Sequence, residues 1–377
     1  MVSTDLILSA LIAGFFFLLF ALMLYQSITH NRKAYVLTIS LLIGGIGGIV
    51  SVLHEFISLK KSYFLFYSII IWSVCYFLIY LFFEELTESK PNRVRLSIGL
   101  LLLFASIFFN QLFFYAPSIG SSALPATFKT SYETFIKILE WSWDISYSAF
   151  GVFVFSFGAY VHIKSYQSNK ENIPLVQAIS MILISLGFII GFFGADVANE
   201  RIFYAIGDGL KVVGMIVFSL IYIIKIDFIY RLPVNVYFIM VFNKVGLNIL
   251  TVRTYNIKNQ ENEGISRTII NENLLSSLIT AISNLLRESL GSEKPLEMII
   301  AEDRTIVLDS GSQATCAILC DRPTFFLEKS LKNLRKEVEK RYETELRKSV
   351  LLKEEFEEIN KLIQRSFPFL VIKESMG

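Results

Sequence analysis

The chain has 377 residues, 54% of them apolar and 14% aromatic, with 35 Lys and Arg against 33 Asp and Glu and a mean hydropathy of +0.55. So apolar a composition excludes an ordinary soluble protein, and so even a charge balance excludes a basic surface built to neutralise a nucleic-acid backbone. The charge is unevenly spread: 28 charged residues lie in 1–231 and 40 in 232–377, which divides the chain into a membrane domain, 1–231, and a soluble domain, 232–377.

A bilayer core of about 30 Å is crossed by roughly 20 helical residues, because only a helix or a closed barrel satisfies its own backbone there. Seven apolar runs fit: Leu6 to Tyr25, Tyr35 to Val52, Tyr63 to Phe83, Leu96 to Tyr115, Tyr147 to Ile163, Ile173 to Phe193 and Phe203 to Ile224. Asp5 precedes the first run and no basic segment does, so the run reads as a retained span and not a cleaved signal. Gly44, Gly45, Gly47 and Gly48, then Gly191 and Gly194, then Gly207, Gly209 and Gly214, mark places where helices approach closely. The Gly-Gly-Ile-Gly-Gly run is no phosphate loop, since no Lys-Ser/Thr follows and no strand precedes it.

Basic residues are retained on the cytoplasmic side of a membrane. With the N-terminus outside, nine Lys and Arg fall in the inner segments, from Arg32 to Arg231, and five in the outer loops, namely Lys60, Lys61, Lys129, Lys137 and Arg201. The expected arrangement is therefore an integral protein of the cell membrane, N-terminus outside and C-terminal domain in the cytoplasm. Polar residues of the spans then gather at the outer end. His54 and Glu55 close the second span, Asn110 lies in the outer part of the fourth, and Trp143 and Asp144 open the fifth. Asp196 follows the sixth, while Asp208 and Lys211 lie within the seventh. Ionisable groups inside a bilayer cost roughly 2.5 kcal/mol or more unless they face a cavity or a partner, so these eight residues form a candidate outward-facing ligand pocket. Asp208 and Lys211, three residues apart, share a helix face and can neutralise one another.

A lysine in the seventh of seven helices, one turn after an aspartate, is similar to the retinal-binding lysine and counterion of microbial rhodopsins. That resemblance implies a retinal Schiff base at Lys211. The spacing departs from the family, whose aspartate lies four residues ahead, and the span from Tyr63 to Phe83 lacks the family's third-helix carboxylates. No other feature calls for a cofactor, and the bundle as a whole resembles a generic seven-transmembrane sensor.

Beyond Pro233 the pattern changes. Val236 to Val241 and Leu247 to Val252 alternate as strands around the turn Asn243-Lys244-Val245-Gly246. From Thr268 to Leu290 apolar residues recur at helical spacing, with Gly291 where a C-terminal cap belongs. Glu297 to Ile300, Arg304 to Leu308 and Ala314 to Leu319 read as three more strands. Leu327 to Leu346 then forms one helical stripe, and Phe356, Ile359, Leu362 and Ile363 begin a second. Cys316 and Cys320 share a strand about 13 Å apart, too far for a disulfide, and no histidine follows His162 to complete a zinc site.

This order, β-β-α-β-β-β-α-α, resembles a longin domain, the profilin-like fold related to roadblock domains. The fold class expected is thus a membrane all-α bundle of about seven transmembrane helices followed by a cytoplasmic α/β longin-like domain. The resemblance implies a protein-interaction module for small GTPases or other longin or roadblock domains in membrane traffic, and no enzyme: no Walker lysine, kinase signature set or Ser-His-Asp arrangement appears. The expected function is receptor-like or scaffolding, an outward polar site for an unknown small extracellular ligand acting on that module. A transporter or ion pathway, which needs polar residues through the inner half, and a membrane-anchored adaptor are the alternatives.

Overall fold

The computed structural model describes the chain except residues 1–3, 30–34, 57–60, 116–125, 170–171, 194–200, 225–232, 255–271, 291–294, 302–303, 349–355, 357, 368–369 and 371–377; the side chains of some helical residues, His54 and Glu55 among them, also lie outside it. Two compact units result. One comprises residues 1–84, 91–163 and 172–226; the other comprises 85–90, 164–171 and 227–377.

The first unit is helical: α1 Thr4–Thr29, α2 Tyr35–Phe56, α3 Lys61–Thr87, α4 Arg93–Tyr115, α5 Ala126–Asn169, α6 Asn172–Phe192 and α7 Arg201–Ile224. Among the described residues five helical stretches, within α2 to α6, are long and apolar enough to cross a bilayer. Five such helices mark a membrane protein whose apolar faces meet lipid. Helix α5 corrects the sequence reading. It runs for 44 residues, about 66 Å at 1.5 Å per residue, so Trp143 and Asp144 lie well inside it and do not open it. Phe135, Ile138 and Leu139 carry the apolar pattern upstream among polar neighbours, too thinly to register as a span.

Glycines set the closest contacts. A Cβ on Gly187 would lie 2.6 Å from the Gly207 carbonyl oxygen, and one on Gly214 would lie 2.6 Å from that of Ser180, so α6 and α7 touch backbone to backbone. On α2, Gly48 admits Ala13 and Gly44 admits the Phe16 ring of α1. Gly209 faces open space, contrary to the packing role expected of it, and Gly194 lies outside the described residues.

The second unit holds β1 Val236–Asn243, β2 Asn248–Arg253, α8 Glu272–Leu290, β3 Met298–Ala301, β4 Arg304–Ser310, β5 Ala314–Cys320, α9 Phe325–Arg341, the single turn α10 Glu343–Leu346 and α11 Ile359–Ser366. The five strands form one antiparallel sheet in the order β2-β1-β5-β4-β3. Gly246, at φ +90°, supplies the left-handed residue that the β1–β2 turn requires. Alternation along the strands gives the sheet two apolar faces. Phe238, Met240 and Phe242 pack with Ile279 of α8, whereas the intervening Ile239 and Val241 are wholly buried on the other face, where α9 lies on β4 and β5. Thr324 caps α9, its hydroxyl accepting the Leu327 N–H at 3.3 Å. The single stripe expected through Leu346 breaks at Tyr342, whose ring turns in against Phe356 at 5.1 Å. Residues 268–271 and Gly291, expected at the ends of α8, lie outside the described residues.

The same unit takes in the end of α3 and the connection after it. The Phe325 N–H donates to the Glu88 carbonyl at 3.2 Å, and Glu328 of α9 is hydrogen-bonded to Ser89. Burial raises the Glu328 carboxyl above its ordinary range, while Ser89 and Lys90 draw it back. All three cysteines are free and buried. Burial pushes the Cys320 thiol up to about 12, with Asp321 adding to the rise, and raises that of Cys316 as well.

Candidate functional site

On α7, one turn of helix places Asp208 and Lys211 on the same face, and their side chains meet at 2.6 Å. The pair is half-buried, at 32% and 27% exposure. The Lys211 ammonium also lies 5.0 Å above the Phe188 ring of α6, a position that the close α6–α7 approach allows. Phe188 belongs to an aromatic cluster. It meets Tyr76 of α3 edge-on at 5.8 Å, Tyr147 of α5 at 5.9 Å and Phe155 at 6.0 Å, and the Tyr147 hydroxyl donates to that of Tyr76 at 3.4 Å. The cation is thus held by a carboxylate and the face of a ring, at the edge of an apolar aromatic wall.

A second group sits where α4 meets α5. Phe113 and Trp143 stack at 5.8 Å with planes 13° apart, and Asn110, one turn before Phe113, is fully buried. The Asn110 amide donates to the Phe66 carbonyl at 3.4 Å, but its Oδ1 and the Trp143 Nε1 are buried without a hydrogen-bond partner among the described residues. An orphan acceptor on α4 and an orphan donor on the neighbouring α5 are groups that a small polar ligand or a water could satisfy.

Of the eight expected residues, five are therefore described through their side chains. Asp208 joins Lys211 directly; Asn110 and Trp143 fall on neighbouring helices; Asp144, half-buried, follows Trp143 on α5. His54 and Glu55 lie in the last turn of α2 with side chains outside the described set, and Asp196 lies outside it altogether.

At the opposite end of the bundle lies a further buried polar set. The Glu84 carboxylate, 1% exposed, accepts from the Tyr80 hydroxyl at 2.7 Å, from Arg95 Nε at 2.7 Å and Nη2 at 3.0 Å, and from the Asn92 N–H at 3.3 Å. Arg95 lies 5.0 Å over Phe157 of α5 as well. This bidentate pair ties α3 to α4 and rests on α5. His162 of α5, whose ring lies 5.8 Å from that of Phe83, and Gln177 of α6 are buried as well. The signal was available: Glu84 ends an apolar run and His162 and Gln177 each interrupt one, but these residues formed no cluster in the sequence. Among the described residues no grouping of His, Cys, Asp and Glu could hold a metal ion.

No protein family, no curated protein and no solved structure matches this chain.

Proposed function

We propose that the chain is a seven-span membrane receptor or scaffold in which a polar site at the outer end of the bundle acts on a cytoplasmic longin-like protein-interaction domain. The observation that carries this reading is that helices bearing site residues end in the unit that holds the sheet. Helix α3 carries Tyr76 and contributes residues 85–87 to that unit; α5 carries Trp143, Asp144 and Tyr147 and contributes residues 164–169. A shift of either helix on ligand binding has a direct covalent route to the second unit, which is what coupling between two sites requires.

The longin-like assignment is supported by the order of strands and helices and by an antiparallel sheet in which β1 and β5 are neighbours at the centre. In this reading the domain recognises a small GTPase or another longin or roadblock domain and catalyses nothing. The orphaned Asn110 Oδ1 and Trp143 Nε1 receive the outer ligand, a small molecule with both a donor and an acceptor. This reading counts α1 and α7, helices of 26 and 24 residues, as spans beside the five.

The test uses the intact protein in nanodiscs, offered purified small GTPases in GDP and GTP states and purified longin and roadblock domains. Saturable binding to one of these, abolished by substitutions in the sheet or α9, supports the proposal. Absence of binding across the panel, with the protein folded, removes it.

A second reading, a transporter or ion pathway, gains from the buried Glu84, His162 and Gln177, which supply polar groups in the inner half. Flux of protons or ions into proteoliposomes would favour it.

A further inference from the structure

Helix α8 is apolar on two sides. Its inner side lays Leu275 and Ile279 on the sheet core, and the buried Ser276 hydroxyl between them donates to the Gly246 carbonyl at 2.7 Å. Its outer side carries Leu274, Leu278 and Leu285, which are 68%, 53% and 62% exposed, with Ala281, exposed as well, between the last two. These four residues recur at intervals of four, three and four, the spacing of a seam that meets another helix. A helix apolar on both sides is one covered on both sides. A bilayer surface is a poor cover here, because helices that lie on anionic headgroups carry lysine and arginine along their polar side, whereas α8 has one arginine and two glutamates.

We propose that the outer side of α8 docks on the same side of α8 in a second copy of this chain, with the two helices antiparallel. The seam is its own complement in that direction. Leu274 falls opposite Leu285 of the other copy and each Leu278 falls opposite an Ala281, so a large side chain meets a small one on either side of the twofold axis. Charge agrees: no charged residue stands between Glu272 and Arg287, so two such faces meet without like-charge repulsion, and the helix dipoles oppose one another. The exposed leucines, with Ser277 and Asn284 beside them, leave on the order of 500 Å² bare on each copy, and a pair therefore covers about 1,000 Å², the size at which an interface between proteins holds. This pairing depends neither on the outer site nor on a small GTPase.

The test is disulfide formation in unsolubilised membranes that hold two differently tagged copies of the full chain, one with Leu278→Cys and the other with Ala281→Cys. The native cysteines are buried, so the introduced thiols report alone. Antiparallel pairing brings the two positions face to face, and an oxidant should join the two tags several-fold faster than it joins copies carrying Glu337→Cys, an exposed position of α9 on the other face of the sheet. Single-molecule bleaching of the unmodified protein in the same membranes should count two copies per particle, falling to one in Leu278→Glu, which sets like charges beside the axis. Joining no faster than with Glu337→Cys overturns the proposal. So does a Leu278→Cys thiol joined to a different protein in place of a second copy, and so does one copy per particle in the unmodified protein, a count that needs no variant to fold.

Discussion

Glu84 is the most deeply buried carboxylate among the described residues of the bundle, and its partners make its worth measurable. With Arg95→Met the carboxylate stays fully enclosed and loses its bidentate cation while keeping Tyr80 and the Asn92 N–H. Stripping one partner from a buried pair costs about 3–5 kcal/mol, and the 30% exposure of the Arg95 side chain places this case near the lower end. Glu84→Leu costs less, about 1–3 kcal/mol, because the half-exposed guanidinium it abandons can reach water. The double variant removes charge and counter-charge together, so its loss should fall short of the sum of the singles by at least about 1 kcal/mol. Reversible unfolding of the purified protein in mixed micelles, read by intrinsic fluorescence, supplies the three values. Additivity within about 0.5 kcal/mol would refute the reasoning, since it would mean that the two residues do not stabilise one another.

The same logic applies, more weakly, at Asp208 and Lys211. Each single neutralisation should lower the melting temperature, and Asp208→Asn with Lys211→Met together should lower it by less than the sum, as a pair at 2.6 Å demands. Gly207→Leu should separate α6 from α7, because even a Cβ there would stand 2.7 Å from the Gly187 oxygen; a loss of about 3 kcal/mol or more in the same assay is expected. Glu339 predicts an acid-side effect. Burial would raise its carboxyl, but the Gln313 and Ala314 N–H groups and the Arg335 guanidinium outweigh that and hold it below the ordinary 4.5. Its stabilisation is present above the unfolded value and is lost as pH falls through the folded one. Melting curves should therefore show Glu339→Gln less stable than the parent at neutral pH, with the gap closing below about pH 4.

Apolar runs and turn chemistry were legible because each repeats one signal over many residues. The β1–β2 hairpin could be read from Asn243 to Gly246, where the Asn243 side chain accepts from the Val245 and Leu247 N–H groups and Gly246 takes the positive φ. The first half of α5 could not, since its apolar residues sit among Lys129, Glu133, Lys137 and Glu140, and hydropathy averages such a stretch away. Tyr342 kept the helical period of the stripe before it, so nothing local announced that its ring would turn toward Phe356 and end α9. The pair Asp208 and Lys211 was found from spacing alone. The aromatic wall around it was not, because Tyr76, Tyr147 and Phe188 come from three helices whose mutual rotation no single run encodes. Glu84 escaped notice for a related reason: its partner Arg95 lies across a helix connection and reads on its own as an ordinary basic residue at a span end.

Coupling between the outer site and the sheet domain is the central claim, and hydrogen–deuterium exchange on the intact protein in nanodiscs tests it most directly. Asp208→Asn or Lys211→Met breaks the pair at the aromatic wall of α3 and α5 without touching the second unit. The account predicts altered exchange in residues 85–90 and at the start of α9, near Phe325 and Glu328, where the connection that follows α3 is hydrogen-bonded to that helix. Unchanged exchange there, in variants whose α7 does show a change, would contradict it.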